Sequence, residues 1–374
     1  MFNKLYDIIA KNLTMKRASM EKSINTTTRT LTDLKLEAQK IAFAPFAFQA
    51  VKVMRDNGIL KEIEKSKDDG IDFDKLLDNI DISRYGLGVL LDAGLSVGII
   101  DQKDNKYVLT KVGYFILNDE ITRVHMDFTH DVCYQGMFFL DEAIKNGKPA
   151  GLKVFGEWPT VYEGLSSLPE KVKESWFNFD HYFSDMAFPK ALPIVFKDNP
   201  QTLLDIGGNT GKWTIECLKF SKEVKITIMD LPGQLKKAKE NVEKNNLGDR
   251  VDYYTIDILD KSKPFPKNFD IIWMSQFLDC FSEDEIVSIL TRAKESMNEN
   301  SILYIMETFT DRQHFNVASY CLDMISLYFT CIANGNSRMY HADDMIRCIE
   351  KAGLKVVEDI NGVAISHTLL KCKK

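Results

Sequence analysis

The sequence predicts an α/β fold, a mostly parallel and doubly wound sheet preceded by a smaller, mainly helical unit, and three observations carry that prediction. After Pro200, five short apolar and partly β-branched runs alternate with helical patterns, the order that gives a parallel sheet with helices on both faces. Two last runs, 354–360 and 363–370, flank Asn361-Gly362, a two-residue hairpin signal, so the final strand should run antiparallel beside the one before it. The third is size: 374 residues, 45% apolar and 27% charged, exceed what one hydrophobic core usually organises, so two domains are expected.

Taken in order, residues 1–40 read as a mobile or partner-dependent arm, because Lys16, Arg17, Lys22 and Arg29 alternate with a Ser/Thr/Asn-rich stretch of weak helical preference. From Ala42 the pattern changes. Phe43, Phe46, Phe48, Val51 and Met54 form a broad apolar helical face that ends at Asn57-Gly58. A second helix is expected near 73–77 and a third near 85–94, followed by two short strands around the charged turn 102–106. Three helices and then a hairpin is the winged-helix order. A DNA-reading third helix would carry cations, yet Arg84 is followed by an apolar run, which suits packing against another subunit instead. Residues 119–195 read as helical and aromatic-rich, and part of 179–186 could face a flat apolar ligand. The strands of the sheet are then expected at 202–206, 224–229, 251–256, 269–274 and 301–306.

Charge and cysteine usage narrow the partners. Forty-eight Lys+Arg against 54 Asp+Glu give a net charge of −6, which argues against nucleic acid. Seven cysteines without a C-x-x-C pair indicate neither a disulfide framework nor a zinc site, so no metal is expected and a reducing cytoplasm is. No run of 18 or more uncharged apolar residues occurs and the N-terminus lacks a signal-peptide core, so a cytoplasmic protein without a membrane partner is expected.

The chemistry concentrates where the first strand of the sheet ends. Asp205-Ile206-Gly207-Gly208-Asn209-Thr210-Gly211 lets the backbone turn sharply at the carboxyl edge, where doubly wound sheets bind nucleotides. Its spacing matches neither the dinucleotide G-x-G-x-x-G nor a P-loop. Asp230, before Leu231, is expected to end the second strand, where a carboxylate can accept both hydroxyls of a ribose, and Asp257 to end the third, where it could accept from an adenine amino group. An adenosine ligand with a positive charge and no phosphate fits such an anionic, glycine-lined pocket.

These residues and the stretch 269–285 resemble the S-adenosylmethionine-dependent O-methyltransferases of the plant caffeic-acid type and their bacterial small-molecule relatives. Thr110-x-x-Gly113 after the hairpin also looks like that family's pattern. The resemblance implies a winged-helix-like dimerisation domain over 1–118 and a methyltransferase domain over 119–374, whose Rossmann-like core of seven strands occupies 196–374. It implies S-adenosyl-L-methionine as cofactor, a homodimer, and a hydroxyl or carboxyl of a small aromatic or conjugated molecule as methyl acceptor. Carried over by position, Gly207, Gly208 and Gly211 would line the methionine part of the cofactor, Asp230 would hold the ribose and Asp257 with Ile258 the adenine, with Asp205, Leu231 and Ser275 also among the cofactor-binding residues.

Several positions depart from the family pattern. Asn209 replaces a middle glycine, and Ser275 stands where many members place a lysine near the cofactor carboxylate. Where many members carry His-Asp-Trp, this chain has Asp279-Cys280-Phe281, so the catalytic base would be Asp279. Packing against Phe281 and Trp273 could raise its pKa toward usefulness. Glu307 matches the first glutamate that flanks the family's base, whereas Ser337 stands where the second commonly lies, and His314 and His341 are the other candidate bases. A cofactor-binding relative with non-methylating chemistry (hydroxylation or decarboxylation) or ligand binding alone, and a winged-helix regulator, remain the alternatives at this level.

Overall fold

The computed structural model describes residues 29–374; the first 28, which hold most of the expected arm, lie outside the described residues. Two compact units divide the chain between Asp119 and Glu120.

In the first unit, residues 31–40 belong to a helix, Leu31–Ala42, that opens on a reciprocal cap between Thr30 and Asp33 and buries none of its side chains within the chain. Good N-terminal capping here outweighs the weak propensity of the residues before it. Ala44–Asp56 follows, buries Val51 and Met54, and stops at Gly58, whose φ is +80°. A short helix not anticipated from the sequence, Ile59–Lys65, starts directly after that glycine and buries Ile59, Leu60 and Ile63 completely. Its seven residues show too few turns for periodicity to reveal. Phe73–Asp78 and Arg84–Val97, capped by Asp72 and Ser83, lead into the antiparallel pair β1 (Ile100–Lys103) and β2 (Lys106–Leu109). Thr110 accepts the Gly113 N–H at 3.1 Å to begin the helix Lys111–Asn118. A Cβ on Gly113 would stand 2.1 Å from the Ile99 carbonyl oxygen, which explains the Thr-x-x-Gly spacing as a close backbone approach.

The second unit opens with a run of short helices and the long helix Glu170–Val195. Its sheet contains β3 (Thr202–Ile206), β4 (Lys225–Asp230), β5 (Val251–Thr255), β6 (Ile271–Ser275), β7 (Ile302–Glu307), β8 (Lys355–Val363) and β9 (His367–Lys373), in the order β5-β4-β3-β6-β7-β9-β8. The first five are parallel, and β9 runs antiparallel to both β7 and β8. Side chains alternate between two cores. Leu204, Ile206, Ile272 and Met274 pack with helices Glu283–Ser296 and Ala342–Lys351, and Leu203, Ile226, Ile271 and Trp273 pack with Lys212–Phe220, Pro232–Lys244 and the end of the long helix.

The hairpin departs from expectation in one detail. Asn361-Gly362 is not the turn: it is an irregularity within β8, where Gly362 takes φ +74°, and the chain reverses three residues later between Val363 and His367. Asn361 Oδ1 accepts from both the Gly362 N–H and the Thr368 hydroxyl, so the side chain stabilises a bulge rather than a two-residue turn.

The helix Asn316–Tyr328, continued by a wider turn through Ala333, is the one stretch among the described residues long and apolar enough to cross a membrane. Its Leu322, Ile325, Tyr328 and Phe329 pack in a third core with Phe128, Val132 and Trp176, the arrangement of a core helix.

Candidate active site

The carboxyl ends of β3 to β7 open on a cavity of about 250 Å³. At its floor the chain leaves β3 through Gly207 at φ +72°, with the Gly207 N–H donated to the Met229 carbonyl at 2.9 Å. A Cβ at Gly207 would meet the Phe277 ring at 2.2 Å, and one at Gly208 would meet Ile228 at 2.6 Å and the Asp205 carboxylate at 2.9 Å. No side chain fits at either position, so the backbone itself forms the surface.

Asp230 locks this turn to the second strand. Its Oδ2 accepts the Asn209 N–H at 2.8 Å and its Oδ1 accepts the Leu231 N–H at 2.6 Å, while burial pushes its pKa up to about 6. Gly207, Asn209, Asp230, Leu231, Asp257 and Ile258 all border the cavity. Asp257 lies two residues beyond the end of β5 rather than on it, exposed, with Oδ1 accepting the Leu259 N–H at 2.9 Å.

Other expected cofactor residues fall elsewhere. Asp205, Gly208 and Ser275 border a second, smaller cavity of about 60 Å³ that shares Asp180, Gly207, Asn209 and Gln276 with the first, together with His181 and Lys212. Asp205 is buried, accepts the Thr214 hydroxyl at 2.7 Å and has its pKa pushed to about 7 by desolvation. It supports the turn from below. The Ser275 hydroxyl, unlike a lysine ammonium, is buried without a partner. Gly211 borders neither cavity; at φ +78° it precedes the helix Lys212–Phe220.

At the far end, the cavity is walled by aromatic rings. Phe179 stacks on Phe128 at 4.0 Å, Tyr328 meets Phe128 edge-on at 4.9 Å, and the Trp176 indole N–H donates to the Tyr328 hydroxyl at 2.7 Å. Into this end faces Asp279, on a single 3₁₀ turn, Leu278–Cys280. It is buried, not a solvated loop carboxylate, and burial raises its pKa to about 6, with the Cys280 thiol 3.5 Å away. Phe281 borders the same space, but Trp273 does not; it stacks on Trp213 at 4.0 Å on the opposite core.

Glu307 ends β7 behind that turn and does not border the cavity. Its Oε1 accepts the N–H groups of Phe277 at 3.0 Å and Leu278 at 2.9 Å, and burial and the nearby Asp279 hold its carboxyl well above the usual range. Ser337 stands back from the cavity too, hydrogen-bonded to Asn334, whose amide donates to the Cys280 carbonyl. His314 and His341 are exposed and border neither cavity.

Sequence reasoning passed over Asp180. It accepts the Asn209 amide at 3.0 Å, borders both cavities, and is pushed to about 7 by burial and by Asp279. Its neighbour His181, 3.3 Å from the Thr210 hydroxyl, is lowered to about 4 by burial and is therefore neutral. The available signal was an Asp-His pair interrupting an aromatic stretch on a helix.

The residues present suit S-adenosyl-L-methionine. A side-chain-free turn, an interlocked acidic residue on the second strand and an acidic residue past the third share one cavity. Among the described residues, no group of three or more His, Cys, Asp or Glu could hold a metal ion.

Comparison with known proteins gives the same reading. Residues 35–107 match the Dimerisation2-like domain and residues 179–355 the O-methyltransferase domain. The chain is 21% identical to O-methyltransferase 7 of Dictyostelium discoideum over 326 residues, 86% of this chain and 90% of that one. It is 22% identical to 3-hydroxy-5-methyl-1-naphthoate 3-O-methyltransferase of Streptomyces sahachiroi over 236 residues, 61% of this chain and 66% of that one. The fold is that of mitomycin 7-O-methyltransferase MmcR, with a TM-score of 0.68 at 16% identity over 96% of this chain and 99% of the other.

Proposed function

We propose that this chain is an S-adenosylmethionine-dependent O-methyltransferase that takes its methyl group from S-adenosyl-L-methionine and delivers it to a hydroxyl of a small aromatic or conjugated molecule. The observation that carries the site assignment is the interlock of the glycine turn with Asp230, which opens on the same cavity as Asp279. The bound cofactor supplies an electrophilic methyl on a sulfonium. Asp230 accepts hydrogen bonds from the ribose hydroxyls, Asp257 and Ile258 hold the adenine, and the backbone at 207–209 borders the methionine part. Asp279 takes the proton of the acceptor hydroxyl.

Methyl transfer is governed by alignment, so the base needs only to assist ionisation. An unperturbed Asp mismatches a phenol of pKa about 10 by roughly six units. Raising Asp279 from 3.8 to about 6 removes on the order of 3 kcal/mol of that mismatch. Glu307 acts through the backbone, fixing the turn that carries the base.

The Dimerisation2-like domain supports assembly as a homodimer, and seven free cysteines suit a reducing cytoplasm. Calorimetry with S-adenosylhomocysteine tests the cofactor assignment: wild type binds and Asp230→Ala loses most of the affinity, whereas undiminished binding by that variant removes Asp230 from the site. Mass spectrometry of acceptors incubated with enzyme and cofactor tests the reaction, the expected product being heavier by one methylene.

A further inference from the structure

We propose that the acceptor end of the cavity selects by charge, admitting neutral or protonated aromatic hydroxyl compounds and rejecting those that carry a carboxylate or another anionic substituent. This rests on the methyltransferase reading and narrows its substrate class. Among the described residues that border the cavity there are six carboxylates and no lysine, arginine or histidine. Asp230 and Asp257 belong to the adenosine end, and Glu285 is engaged in capping its own helix at Ser282. Asp180 and Asp279 lie within electrostatic reach of each other, and Asp180 of Tyr328, at the aromatic end, and Glu163 also borders the cavity. Lys212 borders only the smaller cavity and is tied to Asp185 at 2.5 Å.

The consequence is electrostatic. An anionic substituent entering this space would lose its hydration, find no cationic side chain, and approach Asp279 and Asp180 at short range in a medium of low effective dielectric. Even with one carboxylate matched to the cofactor's net positive charge, repulsion remains. Specificity of this kind comes from a repulsive element rather than an added attraction.

The test uses full-length protein saturated with sinefungin, a non-transferring cofactor analogue that keeps the positive charge; its binding is measured first by calorimetry. Absence of sinefungin binding removes the methyltransferase reading, and this inference with it. Three hydroxynaphthalenes that differ only in an aminomethyl, hydroxymethyl or carboxylate substituent are then titrated at pH 8. The amine and the neutral member should each bind at least about tenfold more tightly than the carboxylate. In the double variant D180N/D279N, which still binds sinefungin, that discrimination should drop below tenfold. Discrimination under tenfold in wild type, binding by none of the three, or discrimination that survives in the double variant overturns the inference while leaving cofactor binding intact.

Discussion

The carboxylate of Glu307 holds the backbone N–H of Leu278 at 2.9 Å, and with it the turn on which Asp279 is displayed. The same oxygen accepts from Phe277, while Oε2 has no partner. Burial and the nearby Asp279 push the Glu307 carboxyl well above the ordinary range, which favours the uncharged form, and an amide keeps the accepting oxygen without a buried charge. Glu307→Gln should therefore keep most of the stability. Glu307→Ala should cost about 2–4 kcal/mol, since it orphans two buried donors, read as a lower urea midpoint at unchanged slope.

Asp205 provides a pH signature. Its folded pKa of about 7 exceeds the unfolded value near 3.9, so the folded state binds the extra proton between those limits and stability is lost as pH rises through the window. Buried His181 and His367, both lowered to about 4, act with the opposite sign, so the comparison is made against wild type. Relative to wild type, Asp205→Asn should gain on the order of 1–3 kcal/mol between pH 5 and pH 8, measured by urea unfolding at both.

For turnover, a base with a pKa near 6 must be ionised to work, so kcat should rise with pH through about 6 and then level. Asp279→Asn should slow kcat by about 10²-fold or more and remove that limb, with S-adenosylhomocysteine affinity retained. Unchanged turnover excludes Asp279 from the chemistry.

Gly207→Ala should lower S-adenosylhomocysteine affinity by about 100-fold or more, because its Cβ would collide with Phe277 2.2 Å away and the backbone is left-handed there. Gly88→Ala, mid-helix with nothing closer than 4.0 Å, is the contrasting substitution. It should raise stability by about 0.5–1 kcal/mol in thermal or urea unfolding.

The sequence by itself determined what depends on period, spacing and local chemistry. The alternating strands, the glycine turn and Asp230 are each specified by residues near one another in the chain, so their geometry was legible without the fold. The hairpin turn was misplaced by three residues, because Asn-Gly serves a bulge as well as it serves a turn. Only the tertiary structure decided which carboxylates meet. Asp180, Asp279 and Glu307 come from a helix, a 3₁₀ turn and a strand end spread over residues 180–307, and burial raises all three carboxyls, Asp279 adding to the shift of the other two. It also placed Asp205 and Ser275 on the smaller cavity and Asp230 and Asp257 on the larger, since which cavity a residue borders is set by packing against elements distant in sequence. Burial is a property of the folded whole, and the acidity of this site follows from burial.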